Sequence, residues 1–218
     1  MSTISKLWQY SRQRVTFPLF YLLALALVAV GRLDLGVAMQ WPTLFDFALA
    51  FVLLWQLRLW DDLVDVEKDR ASHPERLLVQ ATNLRPYRLA VIGCVAMSLV
   101  WLTLRSSFAA GPAFAPLIYA GFLVLLATWY KVLRPLFASP VPHYHAVLLK
   151  YPAFIYVLSP SAAVPWRAMV FAYLAACIYE VIHDRGLKNQ RDAWFAAGAE
   201  IAVTLTFGLI VLVQEFQT

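Results

Sequence analysis

The sequence predicts an all-α, polytopic membrane bundle of about seven helices in a single domain spanning residues 1–218. Three observations carry this. Hydrophobic residues make up 61% of the chain and charged residues only 14%, against about 25% charged in a soluble domain. Apolar runs long enough for a bilayer recur along the whole chain. The basic residues between those runs alternate between rich and poor.

A bilayer core asks for about 20 apolar residues per helix, with about 17 as a lower bound. Seven runs approach or meet it: 15–31, 42–60, 89–104, 114–130, 146–159, 166–182 and 193–213. The first follows Lys6, Arg12 and Arg14, as a signal peptide would, but no clear cleavage site follows, so it reads as a membrane helix. The fifth is the shortest and holds Lys150 and Pro152, which suits a helix facing protein or a polar cavity.

The intervening charges give the orientation. The N-terminal segment carries Lys6, Arg12 and Arg14, and the first loop only Arg32. The second loop carries Lys68, Arg70, Arg76, Arg85 and Arg88, and the third only Arg105. Lys131 and Arg134 follow, then Arg167, then Arg185, Lys188 and Arg191. The positive-inside rule places the N-terminus in the cytoplasm. The net charge of +5 is then topology rather than a nucleic-acid footprint, and no nucleic-acid partner is expected. The chain reads as a multi-pass integral protein, of a bacterial cytoplasmic membrane, with membrane lipids around it.

Cys94 and Cys177 each lie alone in an apolar run. Without a second thiol nearby, neither reads as a zinc ligand or redox partner; both read as small buried hydrophobes. Trp41, Trp60, Trp101, Trp129 and Trp166 fall at helix ends, as in an interfacial aromatic belt. Tyr119, Tyr151 and Tyr156 are candidates to line a pocket and face a cation.

Acidic residues concentrate in one place. Six of the 13 fall between Asp61 and Glu75. On a straight helix, Asp61, Asp65, Asp69 and Asp62 share an arc of about 100°. Two carboxylates about 6 Å apart repel by about 3 kcal/mol at an effective dielectric near 20. Magnesium, with hard oxygen ligands completed by water and substrate phosphates, relieves that repulsion. The alternative is a solvated helix end paired with Lys68, Arg70 and Arg76.

The string Asp61-Asp62-x-x-Asp65-x-x-x-Asp69, followed by His73-Pro74-Glu75-Arg76-Leu77, resembles the first signature of the UbiA family of intramembrane prenyltransferases. That pattern is NDxxDxxxD and then a stretch like HPxRPL, at the cytoplasmic end of the second helix. Tyr130-Lys131-Val132-Leu133-Arg134-Pro135 is similar to the family's YxxLKR segment, with Pro135 where an arginine is usual. Glu180-x-x-x-Asp184 stands where family members carry a DxxxD-type motif, and lacks the aspartates that often follow.

The resemblance covers about residues 14–192 and implies a Mg2+-dependent enzyme with its site on the cytoplasmic side. It implies transfer of a prenyl group from a prenyl diphosphate to an aromatic or other lipophilic acceptor. Asp62, Asp65 and Asp69 would be catalytic and, with Glu180 and Asp184, hold the metal. Asp61, Arg76, Tyr130, Lys131, Arg134 and Lys150 would bind substrate; Lys150 could equally snorkel to the cytoplasmic surface. The same acidic walls would serve a membrane terpene cyclase, and the altered second motif would suit a non-catalytic lipid-binding subunit. The family usually has nine helices, so a second copy or a partner subunit would replace the missing two. Two acids lie apart from these motifs. Asp46 is expected at the outer membrane interface, and Glu200, about two turns inside the last run, is a candidate for the cavity wall.

Overall fold

The computed structural model describes residues 3–41, 43–108, 111–137, 139–183, 187 and 191–215, with side chains as far as Phe207. Helix makes up 82% of the structure and no strand occurs among the described residues. In order, the helices are α1 (Thr3–Arg14), α2 (Phe17–Asp34), α3 (Thr43–Val64), α4 (Val66–Ser72), α5 (Leu77–Gln80) and α6 (Arg85–Ser107). There follow α7 (Ala115–Thr128), α8 (Val141–Leu148), α9 (Lys150–Val157), α10 (Trp166–His183) and α11 (Arg191–Glu215).

Proline sets many of these starts. α2, α6, α7 and α8 each carry one in the first turn, where its fixed φ suits a helix and its missing N–H costs nothing. Pro152 acts differently. It has no N–H to bond the Leu148 carbonyl, and the predicted fifth helix divides at Leu149 into α8 and α9.

Four segments are long and apolar enough to cross a membrane: Phe17–Asp34, Thr43–Val64, Arg85–Ser107 and Ala115–Leu136. Only 17% of the most apolar stretch of α6 is buried by protein. Leu117 and Val124 of α7 are about two-thirds exposed. Apolar faces of this size are compatible with a lipid neighbour.

The helices close a ring, with α2 against α3, α3 against α6, α6 against α7, α7 against α9, and both α9 and α10 back against α2. α11 packs outside, on α10 and α8. Gly31 lets α2 approach α9: a Cβ there would meet Ile155 Cγ2 at 3.3 Å. Leu53, Tyr119, Phe154 and Ile155 fill the centre.

One end of the ring is locked by a buried ion triad. Arg32 donates to Asp46 at 2.8 Å, and Arg105 lies 3.3 Å from the other Asp46 oxygen. Arg105 also donates to the carbonyls of Val157, Leu158 and Ser159 at 2.8–3.1 Å, capping the end of α9. Asp46, in the first turn of α3, is buried against these two arginines. The sequence pairs neither arginine with it, because Arg32 and Arg105 lie on other helices.

Candidate functional site

The opposite end of the ring carries the predicted motif residues and opens into a cavity of about 650 Å³. Its interior is apolar, built by Leu23, Leu27, Leu57, Ile155, Phe171 and Ala172. Its polar rim holds Arg14, Arg58, Asp61, Tyr130, Lys150 and Glu180. These come from the ends of α1, α3, α9 and α10 and from the turn after α7, so one ring of helix ends makes one mouth.

The four aspartates meet two different sets of partners. α3 ends at Val64, and Asp65 stands at the junction with φ −88° and ψ 5°. The backbone bonds continue through it, Asp65 N–H to Asp61 O and Asp69 N–H to Asp65 O. The neighbouring tyrosine and arginines sort the carboxylates into two sets.

Asp61 and Asp65 face α7. The Tyr130 hydroxyl donates to Asp61, and Arg134 donates to Asp65 at 2.7 Å. The Arg134 guanidinium also stacks 5.7 Å from the Tyr130 ring centroid. Tyr130 rides on a π-turn, Trp129–Leu133, and Arg134 follows it directly, its N–H bonded to the Trp129 carbonyl. Such turns re-aim side chains at helix ends. Trp129 donates its indole N–H to His143 Nδ1 at 3.0 Å, which burial and the Arg134 charge hold below the usual histidine pKa.

Asp62 and Asp69 face α1. Arg14 grips Asp62 with both nitrogens, at 2.9 and 2.7 Å, and the Tyr10 hydroxyl donates to it at 2.7 Å. Arg58, one turn earlier on α3, lies 3.4 Å away. Arg76 pairs with Asp69. Burial and Asp62 together push the Tyr10 phenol up, so it remains a proton donor. The hydrogen bond from its guanidinium to Asp62 raises Arg14 further.

The structure thus brings Asp61, Tyr130, Lys150 and Glu180 to one cavity. Asp62, Asp65 and Asp69 do not line it; they pair with Arg14, Arg134 and Arg76. Lys131 is exposed and does not line the cavity. Asp184 lies outside the described residues. Lys150 lines the mouth, with its ammonium 5.2 Å from the Tyr151 ring centroid. Tyr151 lines the cavity as anticipated; Tyr119 instead donates to Gln56 in the core. Arg70 pairs with Glu67, away from the aspartates.

Sequence reasoning missed Tyr10, Arg14 and Arg58 as partners of Asp62. One signal was available: Arg58 and Asp62 are four apart and share a helical face.

No family model, curated protein or solved structure matches the chain. Its chemistry therefore rests on its own residues.

Three carboxylates do not converge on one point among the described aspartates. Magnesium does not require that, because it commonly takes one or two carboxylates and completes its shell with water and substrate phosphates. Asp61 and Glu180, two hard oxygen donors on one rim, fit that requirement.

Proposed function

We propose that the chain is a membrane prenyltransferase of the UbiA type, acting on a prenyl diphosphate at the mouth of this cavity. The observation that carries it is the pairing of an apolar cavity of about 650 Å³ with a rim of Arg14, Arg58 and Lys150 beside Asp61 and Glu180. Such a space suits a molecule with a lipid tail and an anionic head.

In this reading the tail lies along Leu23, Leu27 and Phe171, and the diphosphate meets Lys150 and the arginines. Asp61 and Glu180 would hold Mg2+, which supplies charge neutralisation of the leaving diphosphate. Asp62 and Asp69 act as positioning residues for Arg14 and Arg76, and Asp65 does the same for Arg134. As the C1–O bond breaks, its electron pair leaves with the diphosphate, and fixed cations stabilise that charge where it develops. The allylic carbon then bonds to a nucleophilic carbon of a lipophilic acceptor, which loses a proton. Tyr130, beside Asp61, and Tyr151 present ring faces to the cation.

Seven membrane crossings, with the N-terminus and the cavity mouth cytoplasmic, belong to the same proposal, as does a bacterial cytoplasmic membrane. The alternating loop charges support it. Reporter fusions after Arg14, in the 35–41 turn and after Arg76 test it. Cytoplasmic signal at the first and third, with external signal at the second, is expected.

A second reading is a non-catalytic prenyl-lipid binder. The arginine pairing of Asp62, Asp65 and Asp69 favours it, because each carboxylate is already neutralised. Purified protein incubated with labelled farnesyl or geranylgeranyl diphosphate, with and without Mg2+, separates the two. Diphosphate release that needs Mg2+ and falls at least tenfold in Lys150→Ala supports the enzyme. Saturable binding without release supports the binder, and neither outcome overturns both.

A further inference from the structure

A second polar cluster lies behind the cavity wall, between α8, α10 and α11. His145, Cys177 and Glu200 each present a ligand atom, and all three atoms lie within 4.8 Å of one another. His145 Nε2 is 3.4 Å from Glu200 Oε1, and its Nδ1 is 3.6 Å from Cys177 Sγ. Cys177 is fully buried and Glu200 is 8% exposed.

Glu200 is the anomaly. Both of its oxygens are buried without a hydrogen-bond partner, and the buried Tyr144 hydroxyl in the same cluster also lacks one. Tyr144 and Cys177 approach the carboxylate without completing a bond. A carboxylate inside a helix bundle needs a counter-charge or a donor, and no lysine or arginine pairs with it among the described residues. Glu200 therefore does not line the prenyl cavity, as the sequence suggested, but closes this second site.

We propose that His145, Cys177 and Glu200 bind a zinc ion that ties α11 to α8 and α10. The donor set selects the metal. Imidazole and thiolate disfavour magnesium and calcium, whereas zinc accepts nitrogen, sulfur and oxygen together. The spacing also suits it: zinc bonds of about 2.1 Å give tetrahedral edges near 3.4 Å, the separation of His145 Nε2 and Glu200 Oε1, and the three ligand atoms lie within 4.8 Å of one another. Binding displaces the Cys177 thiol proton to solvent, so the thiolate and carboxylate neutralise the ion. Tyr173 holds His145 Nδ1 at 2.9 Å, which fixes the ring and directs Nε2 toward Glu200, as outer-shell partners of zinc histidines do. Three protein ligands leave one position for water.

The site explains how α11, packed only on the outside of the ring, is held in register. It is independent of the prenyl diphosphate proposal, because none of its ligands lines the cavity.

The test uses the full chain in detergent, stripped with chelator and titrated with Zn2+ or Co2+. One equivalent per chain is expected, with a sulfur-to-cobalt charge-transfer band and tetrahedral visible bands. Cys177→Ser should abolish the charge-transfer band. Glu200→Gln and His145→Gln should each weaken zinc binding at least 100-fold, while His73→Gln, on the exposed surface, changes nothing. Size-exclusion profiles and circular dichroism establish that each variant is folded. No stoichiometric metal in the wild type, or binding that survives both Cys177→Ser and Glu200→Gln, overturns the proposal.

Discussion

At the scale of single residues, the Asp62–Arg14 pair is the contact most exposed to a test. Asp62 is buried, and Arg14 meets it through both nitrogens. Removing one partner of a buried pair leaves a charge without compensation, at a typical cost of about 3 kcal/mol. Arg14→Ala is expected to lose close to that in a denaturation series, with Arg58 and Tyr10 limiting the damage. Arg14→Lys keeps the charge but loses the fork, and should fall between. His143 offers a pH test. Its ring accepts the Trp129 indole proton at Nδ1, and burial lowers its pKa from 6.5. The folded state therefore resists protonation. Its contribution to stability is complete above about pH 6.5 and is lost as pH falls toward the depressed folded value. The unfolding midpoint should drop between pH 7 and 5, with a change in Trp129 fluorescence. His143→Gln should remove that part of the slope.

The junctions between elements are where local chemistry governs position. Arg105 joins α3, α6 and α9 by meeting Asp46 and three carbonyls at the end of α9. Arg105→Ala strands those acceptors and leaves Asp46 with Arg32 alone, at a cost of about 3 kcal/mol. Thermal unfolding in detergent measures it. Pro152 divides α8 from α9 and so fixes where Lys150 enters the rim. Pro152→Ala restores an N–H that can bond Leu148 and permits a continuous helix. The expected result is preserved or higher stability with at least tenfold weaker binding of a prenyl diphosphate. Unchanged binding would separate the break from the placement of Lys150.

For the molecule as a whole, the closed ring gives a core on one side of each helix and leaves an apolar face on the other. The cavity is a gap in that ring between α2, α3 and α10. Filling it from a small residue on its wall should therefore cost function before stability. Ala172→Phe is expected to weaken prenyl diphosphate binding at least tenfold while shifting the unfolding midpoint by only a few degrees, as overpacking costs about 1–3 kcal/mol. Ligand titration and thermal unfolding on one preparation read both.

Much of this was legible in the chain itself. Apolar length and loop charge follow from the cost of burying polar groups in hydrocarbon, a local and additive property. They indicated an all-helical membrane protein, and four helices meet the criteria for crossing. The acidic stretch beside the second helix was visible for the same reason, since a carboxylate there conflicts with its surroundings. What sequence could not supply was partnership. The helical wheel put four aspartates on one arc but could not show that Tyr130 and Arg134 meet Asp61 and Asp65 while Arg14 and Arg76 meet Asp62 and Asp69. Arg32 and Arg105 read as loop charges and Asp46 as a separate acid, yet the three form one buried triad. Cys177, His145 and Glu200 lie on three different helices, and only packing brings their ligand atoms within 4.8 Å. Local hydrophobicity determined which segments are helices in a membrane. Tertiary structure decided which charges meet, because electrostatic pairing depends on distance across helices, and sequence separation carries no record of that distance.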